Sequence, residues 1–251
     1  MSRRKLLRSI GGLGALLLAG CDRLSGTTWF PKVLEAGERA SQGVHHLLTS
    51  RKSMAQEFTE ADLSPQFRSN GTSAPNNPQY RALAVDGFAN WRLKVDGLVH
   101  KPQAFTLAQL RSMKSRTQIT RHDCVEGWSA IGKWKGVPLS EILASVEPDG
   151  RARFAVFHCD DPMTRDGTNF YYESIDMEDA YHPQTILAYE LNNKVLPIPN
   201  GAPVRLRVER QLGYKHAKYI NRIELVDSFR HIAGGNGGYW EDNGYQWYAG
   251  I

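Results

Sequence analysis

Cysteine is scarce in this 251-residue chain, which contains only Cys21, Cys124 and Cys159. No Cys-x-x-Cys-His motif is present, so the sequence offers no attachment site for a c-type haem. With so few cysteines, each can be considered separately as a lipid attachment point, a disulfide partner, a packing residue or a metal ligand.

Common catalytic motifs are absent as well. The sequence has no Gly-x-Ser-x-Gly elbow, Walker loop, His-Glu-x-x-His motif or Gly-x-Gly-x-x-Gly fingerprint. Residues 234–238 are rich in glycine but lack the strand and helix that a phosphate-binding loop needs. As far as motifs can decide, these absences exclude the commonest hydrolases, nucleotide-binding enzymes and zinc proteases.

An excess of basic residues is also lacking once the first twenty residues are set aside. The formal net charge is +5, and residues 1–20 contain four basic residues and no acidic one, so the rest of the chain carries +1. No basic run of five or more residues occurs elsewhere. The composition therefore argues against nucleic acid as a partner.

Residues 1–20 have the pattern of an export signal. Four basic residues precede apolar residues 10–20, a stretch too short to cross a ~30 Å hydrocarbon core as a helix. The paired Arg3 and Arg4 resemble the twin-arginine signal, whose pathway exports folded proteins. Residues 18–21 resemble a lipoprotein cleavage site that would lipidate Cys21; ordinary cleavage beside a chance cysteine is the alternative. We expect a periplasmic location or one on the outer face of the bacterial cytoplasmic membrane, with the lipid on Cys21 or the uncleaved signal as anchor.

The remaining sequence predicts one mixed α+β domain that is largely β, rather than regular βαβ alternation. We place an N-terminal extension at 21–66, the domain at 67–229, and a glycine- and aromatic-rich tail packed on it at 230–251. The spacing of Thr106 and Gln109 predicts a capped helix to residue 113, and Pro138 predicts a helix through 146. Alternating polarity predicts strands at 91–95, 117–122, 153–158, 203–208 and 219–225.

Cys124 lies in the stretch RHDCVEGWS, beside His122, Asp123 and Glu126. A structural thiol normally packs among apolar neighbours, so this setting favours a chemically active cysteine. Two alternatives stay open. In an oxidising compartment Cys124 and Cys159 would form a disulfide, or Cys124 is a free buried cysteine.

Residues 200–218 form a second unusual stretch, with basic residues set between glycine turns. Arg205, Lys215, His216 and Lys218 could converge with backbone amides to bind an anion such as a phosphate. Taken from the residues alone, a pair of solvated strands with exposed basic side chains is the simpler explanation.

Together and in this order, the motifs resemble the sulfite oxidase family of molybdopterin-dependent oxidoreductases. The resemblance covers residues 67–225 and is strongest to the single-domain bacterial branch that includes the periplasmic methionine sulfoxide reductases. It rests on RHDCVEGWS, Trp134, GVPL at 136–139, NGAPVR at 200–205 and GYKHAK at 213–218. The family fold it implies is a mixed α and β domain around a molybdenum–molybdopterin cofactor.

The resemblance implies roles for the residues of both stretches. Cys124 matches the cysteine whose thiolate binds molybdenum, and a soft thiolate suits a transition metal. Arg205 and Lys218 match residues that hold the phosphate end of the cofactor. His216 lies beside them, and Ala217 offers a main-chain contact.

Further positions match outside this core. Asn200 matches a pterin-binding asparagine, and Asn70 falls where the family has an early cofactor contact. Cys159 and Asp160 follow a strand at another contact site, where the reductase branch has threonine in place of Cys159. Tyr171 matches an active-site tyrosine of the oxidase branch; a packing aromatic between two aromatic neighbours is the alternative.

The predicted reaction is reduction of a small S-oxide or N-oxide. The oxidase branch has an arginine shortly after its cysteine, where this chain has Val125, Glu126, Gly127 and Trp128. Glu126 would repel an anion, and Trp128 would favour a neutral oxide. Sulfite oxidation by the same cofactor is one alternative, and a cofactor-free lipoprotein binding module with a Cys124–Cys159 disulfide is another.

Electrons must then come from a separate partner, because the chain has no haem-binding motif. A membrane cytochrome or a quinone-linked subunit is the expected donor. The five aromatic residues between 239 and 248 predict a tail that docks onto the domain rather than lining a pocket, with partner contact left open.

Overall fold

The computed structural model describes residues 26–30, 32–34, 36–37, 40, 43–44 and 53–251. The chain divides into two compact units, Met1–Arg51 and Lys52–Ile251. In the first unit, described residues 30, 32–34, 36–37, 40 and 43–44 are helical. The predicted export signal and Cys21 lie outside the described residues. In the part of the chain that is described, no helix is long and apolar enough to span a membrane.

Strands dominate the second unit, which confirms the mixed, largely β class that the sequence predicted, and five short α-helices lie before, between and after them. The helices are α1 (Pro78–Val85), α2 (Leu107–Ser112), α3 (Leu139–Val146), α4 (Met177–Ala180) and α5 (Tyr239–Asp242). The strands are β1 (Arg92–Gly97), β2 (Gln103–Thr106), β3 (Arg116–Cys124), β4 (Trp128–Pro138), β5 (Phe154–Pro162), β6 (Phe170–Asp176), β7 (Ile186–Leu191), β8 (Lys194–Val195), β9 (Arg205–Arg207) and β10 (Ile220–Val226).

The strands form two five-stranded sheets. The first has the order β2-β1-β10-β5-β6, in which β1 and β10 are parallel and the other pairs antiparallel. The second has the order β3-β4-β7-β8, and β9 also pairs with β7. Non-sequential neighbours such as β1 and β10 bring distant segments together, which lets residues far apart in the chain share one site.

The local patterns in the sequence account for several of these elements. In β1 the buried Leu93 and Val95 alternate with exposed residues, so one face of the strand joins the core. The capping box at α2 is present: Thr106 Oγ1 accepts from the Gln109 backbone at 3.0 Å, and Gln109 Oε1 accepts from the Thr106 backbone at 2.8 Å. The strand expected at 203–208 is limited to β9, because only its three residues pair with β7.

One large hydrophobic core extends from the first sheet onto α3. Leu139, Ile142, Leu143 and Val146 occupy one face of α3 and are fully buried. Burial of one such side chain stabilises the fold by about 1.5–3 kcal/mol. This core fixes the strand ends that carry the polar residues described next.

Candidate active site

A cavity of about 210 Å³ lies in the second unit where several segments meet. The β3–β4 turn, the end of β5, the start of β6, the segment before β10 and the C-terminal tail all contribute to its wall. The lining residues are Asn70, Gly71, Thr72, Cys124, Val125, Glu126, Asp161, Met163, Tyr171, Tyr214, His216, Lys218, Trp240 and Tyr245.

Cys124 is the last residue of β3 and pairs with Trp128 across the hairpin. Gly127 completes the turn with φ +82°, a conformation that favours glycine, and its N–H donates to Cys124 O at 3.0 Å. Burial raises the pKa of the half-buried thiol, and the charge of Glu126 adds to this, against a backbone N–H of Glu126 and the charge of Arg68. A metal ion bound here would have to displace the thiol proton.

Arg205 lies completely buried beside the cavity. Its Nη1 donates to Asn200 O at 3.0 Å and its Nη2 to His216 O at 3.3 Å, while the guanidinium lies 5.1 Å from the Trp134 ring centroid. Burial and the charge of Arg207 lower its pKa to about 9. Nε has no hydrogen-bond partner among the described residues, so one donor remains for an anion.

Lys218 lines the cavity, and its ammonium group donates hydrogen bonds to main-chain oxygens. Nζ donates to Asn70 O at 2.7 Å, to Pro199 O at 2.9 Å and to Thr72 O. Burial and the charge of Arg205 lower the pKa to about 7. The three carbonyl acceptors oppose this lowering of the pKa, because they accept from all three N–H bonds of the ammonium form. We therefore take Lys218 as charged.

His216 lies between the two cations in sequence, and its imidazole is neutral. Nε2 is 3.0 Å from Gln211 O and donates to it, which leaves Nδ1 as an acceptor without a partner in the described part of the chain. Burial, with the charges of Arg207 and Arg205, lowers its pKa well below the usual value. The ring of His122 meets it edge-on at 5.0 Å, a neighbour that sequence reasoning did not include in the site.

Two asparagines carry buried polar atoms that nothing described in the structure satisfies. These atoms are Asn70 Oδ1 and Asn200 Nδ2. Asn70 lines the cavity, and Asn200 lies beside it, with its carbonyl bound by Arg205. Because an unpaired buried polar group is costly, such atoms indicate a place for a polar ligand.

Tyr171 lines the cavity from the start of β6. Its hydroxyl donates to Tyr214 O. Burial raises its pKa well above the usual value, and the charges of Glu173 and Glu241 add to the shift. Tyr171 is therefore a protonated donor at neutral pH and not a base.

Five of the sequence-predicted residues do not line the cavity: Asn200 and Arg205 lie beside it, and Cys159, Asp160 and Ala217 have other surroundings. Cys159 is buried in the hydrophobic core with its Sγ 3.9 Å from Phe157 O. Asp160 accepts from Asn221 Nδ2 at 2.6 Å, and Ala217 is buried with its carbonyl bound by Leu206 N–H at 2.8 Å. Cys124 and Cys159 are both free thiols, so the disulfide alternative is not the state of this structure.

Sequence reasoning missed Asp161, the residue after Asp160 in the sequence, which lines the cavity. The signal was present, because residues two apart in a strand share a face, and Asp161 lies on the buried face of Cys159. Burial raises the pKa of Asp161. Trp128, in contrast, was expected to face the substrate but does not line the cavity; its Nε1 donates to Glu126 Oε2 at 2.9 Å.

The C-terminal tail both docks onto the domain and reaches the cavity. The Trp247 ring packs edge-on against Phe154 at 5.4 Å, which is the docking the sequence favoured. Trp240 and Tyr245 line the cavity, which the sequence did not favour. A count of aromatics cannot separate the two roles, because both bury aromatic surface.

Comparison with known proteins decides the family. Residues 81–231 match the model of the oxidoreductase molybdopterin binding domain, which is more than half of the chain. The chain belongs to this family. It is therefore a molybdopterin-dependent oxidoreductase, in agreement with the sequence-based expectation.

Two relatives of 30% identity or more and one solved structure are similar to this chain. "Putative protein-methionine-sulfoxide reductase subunit YedZ1" of Azospira oryzae is 38% identical, over 99% of this chain and 88% of its own length. The protein-methionine-sulfoxide reductase catalytic subunit MsrP of Xanthomonas campestris is 31% identical, over 92% and 72%. The sulfane dehydrogenase SoxCD of Paracoccus pantotrophus shares the fold, with a TM-score of 0.51 and 23% identity over 56% of this chain and 39% of that one.

The donor set of the cavity fits the cofactor of this family. Cys124 lines the cavity and offers one thiol, a ligand type that suits a transition metal. The unused donors and acceptors of Arg205, Asn70 and Asn200 match a ligand rich in polar atoms. Molybdenum–molybdopterin is therefore a cofactor that these residues can hold.

Proposed function

We propose that this protein is the catalytic subunit of an exported molybdenum-dependent reductase of S-oxides. The observation that carries the proposal is the composition of the cavity wall next to Cys124. Val125, Met163 and aromatic rings provide an apolar surface, and Glu126 and Asp161 provide negative charge. A neutral oxide fits such a wall, whereas a dianion such as sulfite is repelled by it.

Cationic groups in the cavity are already engaged. His216 is neutral, and the ammonium of Lys218 is surrounded by carbonyl oxygens. We assign the phosphate end of the cofactor to the buried Arg205, through its unpaired Nε–H, and to the positive charge of Lys218, so neither remains to hold an anionic substrate.

In the same assignment, the thiolate of Cys124 is the protein ligand of the molybdenum. Asn70 and Asn200 bind the pterin with their unpaired amide atoms, and the His216–Ala217 segment packs beside it. When bound, the cofactor supplies two-electron oxygen-atom transfer chemistry. Cys159 stays in the core, and Asp161 rather than Asp160 faces the site.

Tyr171 is the proton donor in this proposal. Reduction of an S-oxide consumes two electrons and two protons and yields a thioether and water. The hydroxyl of Tyr171 is protonated and points its hydrogen at a main-chain oxygen, from which it can turn to the oxygen of a substrate.

The names of the relatives support methionine sulfoxide in proteins as the substrate. A membrane cytochrome or quinone-linked subunit supplies the electrons. The export signal predicted at residues 1–20 supports a location in the periplasm or on the outer face of the bacterial cytoplasmic membrane, with a lipid on Cys21 or the uncleaved signal as the anchor. Mass spectrometry of the mature N-terminus tests the anchor, since an unmodified Cys21 contradicts the lipid.

Turnover assays test the reaction. Molybdenum-loaded protein and a reduced dye are supplied with methionine sulfoxide, trimethylamine N-oxide or dimethyl sulfoxide, and sulfite oxidation is measured in parallel with an oxidised dye. We expect reduction of the S-oxides and negligible sulfite oxidation. Sulfite oxidation without reductase activity would overturn the proposal.

A further inference from the structure

The C-terminal tail contributes an aromatic wall to the cavity that contains Cys124. Trp240 and Tyr245 form this wall. Their rings stack with centroids 5.2 Å apart and planes 30° apart, and Tyr214 meets Tyr245 edge-on at 5.2 Å. The cofactor assignment above uses neither Trp240 nor Tyr245, so their role is open.

The wall is fixed to the body of the domain by hydrogen bonds on both sides of Tyr245. Before Tyr245 in sequence, Glu241 accepts from the buried Lys215 Nζ at 2.7 Å, and Asp242 accepts from Tyr172 OH at 2.6 Å. Just after it, Gln246 O accepts from Tyr214 OH at 2.6 Å. These three hydrogen bonds hold the two rings in place, so that they form a preformed surface.

The chemistry of this surface suits one part of an S-oxide. A sulfoxide has a polar oxygen and two carbon substituents on sulfur. Tyr171 has the hydroxyl that can donate to the oxygen, whereas the aromatic wall and Met163 suit the carbon substituents. Aromatic faces attract alkyl and aryl groups by dispersion and contact sulfur favourably.

The exposure of the wall indicates what size of substituent it takes. Tyr245 is 41% exposed, so its ring reaches from the cavity to the protein surface. A sulfoxide whose second substituent is long or aromatic can therefore extend along the ring. Dimethyl sulfoxide is too small to contact this ring while its other methyl group lies in the inner part of the cavity.

We propose that Trp240 and Tyr245 determine substrate specificity, by binding the larger apolar substituent on the sulfur of an S-oxide. The protein then prefers alkyl or aryl methyl sulfoxides to dimethyl sulfoxide. This inference rests on the proposed reduction of S-oxides, and its test is arranged so that the two can fail separately.

The kinetic test compares methyl phenyl sulfoxide with dimethyl sulfoxide on molybdenum-loaded protein. In Trp240→Leu and Tyr245→Leu, we expect kcat/KM for methyl phenyl sulfoxide to fall about tenfold or more, mainly through KM, and that for dimethyl sulfoxide to change far less. Trp240→Phe keeps a ring and should recover most of the loss. Tyr181→Leu, at an exposed tyrosine outside the cavity wall, is the matched control and should change neither value.

A binding test removes the dependence on turnover. Methyl phenyl sulfone and dimethyl sulfone have the shape of the two substrates and serve as inert probes in calorimetric titrations. We expect the phenyl sulfone to bind more tightly to the wild-type protein and to lose this advantage in Trp240→Leu and Tyr245→Leu. Equal binding of both sulfones, or an advantage that survives both substitutions, overturns the specificity role. Selective binding without any turnover of sulfoxides overturns the proposed reaction alone.

Discussion

Lys215 Nζ lies 2.7 Å from Glu241 Oε1, and each side chain is 1% exposed. The same ammonium contacts the fully buried Glu173, so one cation serves two carboxylates from different parts of the chain. Glu241 belongs to the tail helix α5, and Lys215 lies directly after Tyr214 in the cavity wall. This buried group of three therefore joins the tail to the segment that carries His216 and Lys218.

Removing the cation should destabilise the fold strongly. Lys215→Met leaves the buried carboxyl groups of Glu173 and Glu241 without the ammonium that both contact, and we expect a loss of about 3–5 kcal/mol in the free energy of unfolding. Denaturant unfolding followed by circular dichroism measures it. Lys101→Met is the matched control, since Lys101 pairs with Glu147 at the surface, where such pairs contribute about 1 kcal/mol or less. Equal losses in the two variants would contradict the structural role of Lys215.

The same group should make stability depend on pH. Burial raises the pKa of Glu173 well above its usual value, and Glu241 adds to the shift while Lys215 opposes it. Between the unfolded and folded pKa values, the folded state holds a proton that the unfolded state has released. Stability is therefore highest below the unfolded pKa and falls as pH rises towards the folded one, by up to about 1.4 kcal/mol per pH unit.

Glu173→Gln tests this linkage, because the amide cannot titrate. Unfolding free energies of the wild-type protein and the variant are compared from pH 5 to pH 8. We expect the stability difference between them to shift with pH in favour of the variant as pH rises. A difference that is constant over this range would mean that Glu173 is ionised in the folded state.

Replacement of Cys124 should remove the metal. In Cys124→Ala no thiolate remains for the molybdenum, and we expect its content to fall well below one atom per chain, with loss of activity. Elemental analysis of protein produced in a host that makes the cofactor measures this. Cys159→Ala is the control, since Cys159 lies in the hydrophobic core, and should retain its molybdenum. Loss of molybdenum in Cys159→Ala but not in Cys124→Ala would mean that Cys159, and not Cys124, binds the metal.

Tyr171→Phe should slow turnover without weakening substrate binding. The variant keeps the ring and loses only the O–H that donates to Tyr214 O. A general acid contributes about 10²–10⁴-fold to a rate, so we expect kcat to fall in that range while KM and molybdenum content stay close to wild type. Because the pKa of Tyr171 is raised, its deprotonation should add no limb to the wild-type pH profile below pH 10. A variant with undiminished kcat would remove Tyr171 from the proton path.

Much of the fold was predictable because its signals are local. The capping box at Thr106 and Gln109 and the alternation in β1 and β10 involve neighbours within a few residues, where periodicity decides which side is buried. The order of strands was not predictable in this way. Parallel pairing of β1 with β10 joins residues more than a hundred positions apart, and no short pattern specifies it.

For the candidate site, the sequence by itself singled out candidate residues for the chemistry. Cys124 stood out among polar neighbours, whereas Arg205, His216 and Lys218 became candidates through the resemblance to a family. Only the tertiary structure decided that Trp240 and Tyr245 close the cavity, whereas the alternation of β5 already indicated Asp161. The physical reason is that reactive groups are specified by residue type, whereas the shape of a cavity arises from packing between segments that are distant in sequence.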